Sequence, residues 1–193
     1  MNTQPDNDKV ISQLIADCIA NNGTAQRKLF KNYYSLMFNV CMRYATDYNE
    51  AQDMLNEGFL KIFSNLDKYE NRGSFEAWMK RVMANSALDY QRKYKTLVDI
   101  VQYDTVPETR IENYDENRAL SKMSGDELML LIQHLPPMSK NVFNLYVFEN
   151  YSHAEISKML NIKEGTSHWH LNFARTKLKK EILAMRNEIQ KKI

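Results

Sequence analysis

Glycine and proline, the residues that most often interrupt regular structure, are rare in this chain. The 193 residues include 5 glycines and 4 prolines, and long stretches contain neither. A β-sheet protein needs frequent turn residues between short strands, whereas a helix can run for several turns without them. The scarcity therefore predicts an all-α fold.

Apolar residues recur at intervals of three and four over most of the first half, which is the spacing of one buried helix face. The pattern predicts a short helix before Asn22, and longer helices at about residues 24–44, 47–66 and 74–93. The expected apolar stripes contain Val10, Leu14, Ile15 and Ile19, then Leu29, Tyr33, Met37, Val40 and Tyr44, then Ala51, Leu55, Phe59, Ile62 and Leu66, and finally Phe75, Met79, Val82, Met83, Ser86 and Tyr90. These segments can form one compact helical domain.

The periodicity disappears at residues 95–123, an acidic and polar stretch broken by Pro107. Such a composition is typical of a flexible linker. Helical spacing returns at Ser124, stops at Pro136 and Pro137, and resumes at about residues 138–149. We therefore expect two small helical domains, residues 1–94 and 124–193, joined by a flexible acidic linker.

The net charge of +2 conceals a pattern along the chain. Residues 71–95 carry 6 basic and 2 acidic side chains, residues 96–135 carry 3 and 8, and residues 165–193 carry 7 and 2. Two basic segments separated by an acidic one suit two separate contacts with a polyanion, although a solvated charged face can explain either segment alone.

Residues 151–180 have the pattern of a helix-turn-helix. Ser152 and Glu155 fit a capping box at the start of a short helix. Residues 161–165 would form the turn, with Gly165 in it, and Thr166 would cap the second helix.

The second helix of this motif is expected to have two chemically different sides. Its inner side would contain Ser167, Leu171, Ala174, Leu178 and Ile182. Its outer side would contain Trp169, Asn172, Phe173, Thr176 and Lys180, flanked by His168 and Arg175. A basic recognition helix of this kind binds DNA, although a short helical hairpin packed on a core is the simpler alternative. A metal site at His168 and His170 is disfavoured, because residues two apart diverge on a helix.

Both halves of the sequence resemble extracytoplasmic-function (ECF) sigma factors. The first half resembles region 2 in Tyr34, AQD (51–53), NEGF (56–59), FEAW (75–78) and NSALDYQR (85–92). The second half resembles region 4 in LPPMSKNVFNL (135–145), YSHAEIS (151–157) and GTSHWHL (165–171), then Ala174, Arg175 and Leu178. The match covers about residues 24–93 and 125–180 in the expected order.

The resemblance implies a specificity subunit that binds core RNA polymerase and directs it to promoter DNA. Region 2 would bind the β′ clamp helices and the opened −10 element, and region 4 would bind the β flap and the −35 duplex. Synthesis belongs to the core enzyme, so the resemblance implies no catalytic residue, cofactor or metal. It also implies an anti-sigma factor as a partner.

The resemblance assigns the −10 contacts to the third long helix and the break before it. The residues concerned are Tyr69, Arg72, Phe75, Trp78, Arg81, Asn85, Asp89 and Arg92. Aromatic rings, amides and arginines can hold bases that have left the duplex. Phe75 and Trp78 fit a core position equally well, and Asp89 could orient an arginine.

The contacts with core polymerase fall on the helix at residues 47–66. The helical angle places Asp53, Glu57 and Ser64 opposite the buried stripe, with Leu60 beside them. The family position assigns Asp53, Asn56, Glu57 and Leu60 to the β′ clamp, with Asn56 standing where the family usually has Gln. From the residues alone, a solvated helix face is the alternative.

The −35 contacts are expected on the last helix. The residues are Thr166, His168, Trp169, His170, Asn172, Phe173, Arg175 and Lys179. The family usually has small or basic residues on this side, so the four rings of His168, Trp169, His170 and Phe173 leave the promoter sequence open. The pair Trp169 and Phe173 could instead form a protein contact surface.

Other classes of protein find less support in the sequence. No apolar run is long enough for a membrane span, and the N-terminal residues lack a signal pattern, so the cytoplasm is expected. Cys18 and Cys41 lie far apart and suit buried thiols in a reducing compartment. A dimeric helix-turn-helix regulator is the main alternative, and no enzyme motif is present.

Overall fold

The computed structural model describes residues 4–70, 72–94 and 125–191. Within these ranges every regular element is helical, which confirms the predicted all-α fold. The helices belong to two compact units that divide along the chain between Tyr90 and Gln91. The predicted linker at 95–123 lies outside the described residues, so its boundaries stay a prediction.

The described part of the first unit contains three whole helices and most of a fourth, whose last residues, 91–94, follow the division. They are α1 (Gln4–Ile19), α2 (Gly23–Tyr44), α3 (Tyr48–Phe63) and α4 (Phe75–Tyr94). Short polar side chains satisfy the free backbone N–H groups at the helix starts. The Asn22 side chain accepts from the N–H of Thr24 (2.9 Å), and the Asp47 carboxylate accepts from the N–H of Glu50 (2.9 Å). The sequence positions of these caps therefore determine where the helices begin.

The core of the first unit is formed by the inner faces of α2, α3 and α4. Its fully buried residues include Leu29, Met37, Val40, Tyr44, Ala51, Leu55, Ile62, Met79 and Met83. The side chain of Met83 from α4 fills the space beside Gly58 of α3, where a β-carbon would overlap the Met83 sulfur. Cys18 and Cys41 are buried free thiols, and burial raises the pKa of Cys41 to about 12.

The predicted helix at 47–66 ends earlier than expected. Helix α3 stops at Phe63, and residues 66–68 form a short 3₁₀ turn that still buries Leu66. Ser64 Oγ donates to the carbonyl of Leu60 (2.8 Å), and Asn65 Nδ2 donates to the carbonyl of Lys61 (2.7 Å). These side chains bond the last carbonyl groups of the helix and so allow the chain to leave it.

The apolar stripe predicted for α1 is only partly buried. Leu14, Ile15 and Cys18 lie in the core, whereas Val10 is 57% exposed and Ile19 is 47% exposed. Spacing alone does not distinguish the edge of a helix face from its centre, which explains the two exposed positions.

The residues of the second unit that the structure describes contain four further helices. They are α5 (Gly125–Gln133), α6 (Pro137–Val147), α7 (His153–Leu160) and α8 (Glu164–Lys191). Pro137 occupies the first turn of α6, where its missing N–H is harmless. The core contains Ile132, Leu135, Val142, Leu145, Ile156, Leu171, Ala174 and Leu178.

The turn between α7 and α8 differs from the prediction. The capping box is present, since Ser152 and Glu155 bond each other's backbone N–H groups. However, the left-handed residue is Asn161 (φ 53°), and α8 already begins at Glu164. Gly165 and Thr166 therefore lie in the first turn of α8, and the prediction that Thr166 caps the helix is wrong.

Candidate nucleic-acid and polymerase interfaces

Helix α8 presents a continuous outer side to solvent. Thr166, His168, Asn172 and Arg175 are exposed, whereas Trp169, Phe173 and Lys179 are half-buried. The rings of Trp169 and Phe173 stack with centroids 5.1 Å apart. This side combines aromatic, amide and basic groups, which suits both base edges and phosphates.

His170 does not belong to this outer side. It lies three residues after Ser167 and four before Ala174, both fully buried, and is itself only 6% exposed. Its Nδ1 lies 2.9 Å from Ser139 Oγ of α6 in a buried hydrogen bond. Burial lowers the pKa of His170 below its ordinary value, so the ring is neutral near pH 7. The structure therefore makes His170 an internal anchor of α8, contrary to the predicted DNA contact.

A second buried hydrogen bond joins α7 to α8. His153 Nδ1 lies 2.8 Å from Ser167 Oγ. Burial chiefly lowers the pKa of His153, and His168 and Arg175 lower it further, while Glu164 partly opposes them. His153 was not among the predicted site residues, although it directly follows the Ser152 cap and therefore lies beside the following helix.

Polar residues line one side of α4. Arg81, Asn85, Asp89 and Arg92 are all exposed, and Trp78 is half-buried at the margin. The Asp89 carboxylate forms an ion pair with Lys61 Nζ of α3 (2.8 Å) and so connects two helices. Its role is therefore not limited to orienting an arginine. This side of α4 carries the charges and amides expected of a nucleic-acid surface.

Three aromatic rings cluster where the chain enters α4. Tyr69 lies 5.1 Å from Phe75 and 5.6 Å from Trp78, measured between ring centroids. The Tyr69 hydroxyl donates to the carbonyl of Gly73 (2.9 Å), which closes the loop, and Gly73 has the left-handed φ of 88° there.

The members of this cluster differ in accessibility. Phe75 is buried and contacts Tyr33 of α2, so it is a core residue. Tyr69 and Trp78 are half-buried, and Arg72 is exposed beside Glu70, with 3.0 Å between its Nε and the carboxylate. Tyr69, Arg72 and Trp78 therefore remain available to a ligand.

The outer side of α3 forms a separate surface. Asp53 and Asn56 are exposed, Glu57 is half-buried, and Leu60 is 67% exposed. The hydroxyl of Tyr90 donates to Asp53 Oδ2 at 3.3 Å. An exposed leucine among carboxylates suits a protein partner that bears apolar and basic groups.

Two kinds of feature are absent from the described residues, namely a metal-binding cluster and a membrane-spanning helix. No group of three or more His, Cys, Asp or Glu in residues 4–70, 72–94 and 125–191 could hold a metal ion. None of the helices seen in these ranges has the length and apolar composition of a membrane span.

Family models match both units of the chain. Residues 29–96 match sigma-70 region 2, and residues 125–178 match sigma-70 region 4. The first match contains α3, α4 and their surfaces, and the second contains α6, α7 and the first half of α8.

Curated relatives and a solved structure agree with this match. The chain is 23% identical over 160 residues to the ECF RNA polymerase sigma factor SigW of Bacillus subtilis, covering 78% of this chain and 84% of SigW. It is 24% identical over 152 residues to SigM of the same organism, covering 79% of this chain and 91% of SigM. The fold is similar to that of the sigma factor RpoE of Bartonella quintana, crystallised with the anti-sigma factor NepR. This similarity has a TM-score of 0.50 at 14% identity, covering 82% of this chain and 96% of RpoE.

Two helical units therefore match, in order, the two regions that define these relatives. The surfaces on α3, α4 and α8 lie within the matched segments, except for Lys179, which follows the second segment directly. The chain belongs to the family of extracytoplasmic-function sigma factors, non-catalytic subunits of RNA polymerase that act in transcription initiation.

Proposed function

We propose that this protein binds core RNA polymerase and directs it to promoters with −10 and −35 elements, which it also helps to melt. The observation that carries the proposal is the presence of three exposed surfaces of different chemistry inside the two matched regions. Each surface suits one of the three ligands.

Helix α3 is proposed to bind the β′ clamp helices. Its outer side presents Leu60 next to Asp53, Asn56 and Glu57. Burial of the exposed Leu60 side chain against a partner would remove its apolar surface from water and so contribute binding energy. The carboxylates would then favour a basic partner and limit the number of wrong complexes.

The entrance of α4 and its outer side are proposed to hold the opened −10 strand. Tyr69 and Trp78 offer half-buried rings, and Arg72, Arg81 and Asn85 offer donors beside them. Stacking of one base on an aromatic side chain contributes about 1–3 kcal/mol. Only unpaired bases can stack in this way, so binding favours the open strand and promotes melting without ATP.

Helix α8 is proposed to bind the −35 element in the major groove. His168, Asn172 and Phe173 would contact base edges, and Arg175 and Lys179 would contact phosphates. Trp169 and Phe173 could contact thymine methyl groups. His170 is excluded from this set because it is bonded inside the unit, and the β flap is proposed to bind the same unit.

The protein is also proposed to have an anti-sigma partner. RpoE of Bartonella quintana, which has a similar fold, was crystallised with the anti-sigma factor NepR. A partner of that class would keep this protein from core polymerase until a signal releases it. Co-purification of the full chain from its own cells, before and after stress, would test for such a protein.

Run-off transcription with core polymerase tests the main proposal. We expect promoter-dependent transcripts only when both the protein and core polymerase are present. If the protein neither binds core polymerase nor initiates transcription, the proposal is wrong. Tight binding of the free chain to palindromic duplex in a gel shift would instead identify a stand-alone regulator.

Variants of α3 test the assignment of the core-binding surface. Leu60→Ala, and separately Asp53→Ala with Glu57→Ala, should each weaken core binding about tenfold, as expected for interface residues of about 1.4 kcal/mol.

Val10→Ala is a matched control for the exposed leucine, because Val10 is also exposed but lies on α1. Asp17→Ala with Glu76→Ala removes the same charge from other helices. Equal losses in the controls would remove the assignment.

A further inference from the structure

Three aromatic rings from three different helices stack against one another in the second unit. Tyr146 of α6 lies 4.6 Å from His153 of α7, with 27° between the ring planes. His153 lies 3.6 Å from His168 of α8, with 30° between the planes. We call these three residues the ring stack.

The ring stack connects the interior of the unit to the outer side of α8. His153 is buried and bonded to Ser167, and Tyr146 is half-buried. His168 is exposed. The middle ring of the stack is thus held in the core, and the His168 end lies on the surface proposed to contact DNA.

Arg175 shares this support. Its guanidinium carbon lies 5.7 Å from the centroid of the Tyr146 ring, within the range of a cation–π contact. Arg175 is exposed and lies seven residues after His168, two helical turns along α8. Two of the side chains assigned to DNA therefore rest on rings supplied by other helices.

We propose that Tyr146 and His153 are positioning residues for −35 recognition, with Tyr146 ordering Arg175 and His153 ordering His168. This inference rests on the proposed function of α8. A long, exposed arginine loses conformational freedom when it binds a phosphate, and a ring that orders it beforehand reduces this loss. Likewise, a histidine can distinguish bases only if its ring edge has a defined orientation.

The neutral state of His153 suits this role. Its pKa is lowered mainly by burial and further by His168 and Arg175, although Glu164 acts in the opposite direction. A neutral ring can pack against His168 and near Arg175 without the repulsion that a charged ring would meet.

A double-mutant cycle tests the role of Tyr146. The probe is a promoter duplex selected with the holoenzyme, and the readout is holoenzyme affinity over a range of salt concentrations. Arg175→Ala should lower the salt slope by about one phosphate contact. Tyr146→Leu should weaken binding roughly threefold to tenfold in the native background, and have no further effect beside Arg175→Ala.

The matched control is Tyr146→Phe, which keeps the ring and should bind like the native protein. If Tyr146→Leu weakens binding equally in both backgrounds, its role is merely structural and the proposal for Tyr146 fails. Thermal unfolding of each variant shows whether the fold itself is lost. The double variant Tyr146→Phe with Arg175→Ala supplies the same control in the Arg175→Ala background.

Base preference tests the role of His153. His153→Leu removes the ring, whereas His153→Phe keeps the ring and Ser167→Ala removes only the hydrogen bond. Selection with the His153→Leu holoenzyme should relax preference at the same base pairs as His168→Ala, and the other two variants should keep it. A uniform loss of affinity with unchanged preference would overturn the assignment.

These outcomes differ from those expected if the proposed function itself fails. In that case selection returns no −35 sequence, or His168→Ala and Arg175→Ala have no effect. A recovered −35 sequence that depends on His168 and Arg175, but not on Tyr146 or His153, overturns only the positioning roles.

Discussion

Gly58 leaves room on α3 for the side chain of Met83 from α4. A β-carbon at this position would lie well inside van der Waals contact with the sulfur of Met83, which is fully buried. The glycine therefore matters for packing, and its backbone conformation is ordinary.

We expect Gly58→Ala to lower the free energy of unfolding by about 1 kcal/mol. The substitution gains up to about 1 kcal/mol of helix propensity, but overpacking typically costs about 1–3 kcal/mol. Urea unfolding of the full chain measures the difference. Beside Met83→Ala, which opens space, Gly58→Ala should become stabilising. Gly165→Ala, which meets no atom within 4 Å, is the control and should not destabilise the protein.

The sequence predicted most of the buried apolar residues, but it did not predict every polar residue that is buried. Leu29, Met37, Leu55 and Met79 were assigned to the core and are fully buried there. His170 was assigned to DNA and is buried, because histidine suits both a surface and an internal hydrogen bond. Its spacing from Ser167 and Ala174 places it on the inner side of α8, and there it bonds to Ser139 of α6.

Asparagine, rather than glycine, supplies the left-handed residue after three of the helices. Asn21 follows α1, Asn150 follows α6 and Asn161 follows α7, with φ between 53° and 59°. Asparagine tolerates this conformation better than other residues with a β-carbon. Gly165 was expected in the turn, and the predicted start of α8 after a Thr166 cap was therefore three residues too late.

Asn161 should be replaceable by glycine but not by alanine. We expect Asn161→Gly to unfold like the native protein, and Asn161→Ala to cost about 1 kcal/mol because of its positive φ. Asn39→Ala is the matched control, since Asn39 is an exposed residue inside α2. A cost for Asn39→Ala equal to that of Asn161→Ala would contradict this explanation.

The hydrogen bonds that hold α8 should make the second unit sensitive to acid. The pKa values of His153 and His170 are both lowered from the ordinary 6.5 in the folded state. The unfolded chain therefore takes up protons more readily as the pH falls. Stability is full above about pH 6.5 and decreases as the pH falls through 6.5 towards the folded pKa values.

Thermal unfolding measured between about pH 5.5 and pH 7.5 tests this expectation, since ordinary histidines titrate in that range. The midpoint temperature should rise with pH in the native protein. His153→Gln with His170→Gln should show a flatter dependence, because neither glutamine titrates. His134→Gln replaces an exposed histidine and should leave the dependence unchanged.

At the scale of the whole molecule, binding to polymerase and binding to DNA are assigned to different helices, so they should be separable by mutation. Arg81→Ala and Asn85→Ala should reduce initiation and leave core binding intact. The holoenzyme should bind a single-stranded −10 oligonucleotide about tenfold more weakly, as expected when one contact of about 1.4 kcal/mol is lost.

Lys80→Ala is the control for these variants. Lys80 is on the same helix and carries the same charge as Arg81, but it pairs with Glu76 at 2.6 Å. Its replacement should leave oligonucleotide binding unchanged. Equal losses for Lys80→Ala and Arg81→Ala would indicate general electrostatics instead of a contact at Arg81.

The order of the two helical units could be predicted from the chain, because periodicity and two sets of motifs pointed to the same arrangement. The surfaces of α3 and α4 were also predictable, since position on a helix determines which side faces outward. The ring stack against α8 could not be predicted, because Tyr146, His153 and His168 come together only after three helices have packed. Contacts between residues on separate helices leave no local pattern in a single sequence.

The two serine–histidine hydrogen bonds on the inner side of α8 have an evolutionary consequence. Ser139 with His170, and Ser167 with His153, attach the helix through residues that face away from solvent. Substitutions at Asn172 or Phe173 leave both attachments intact. Under the proposed −35 recognition, a duplicated gene would therefore acquire a different set of target genes through a few surface substitutions, while both copies keep the same fold.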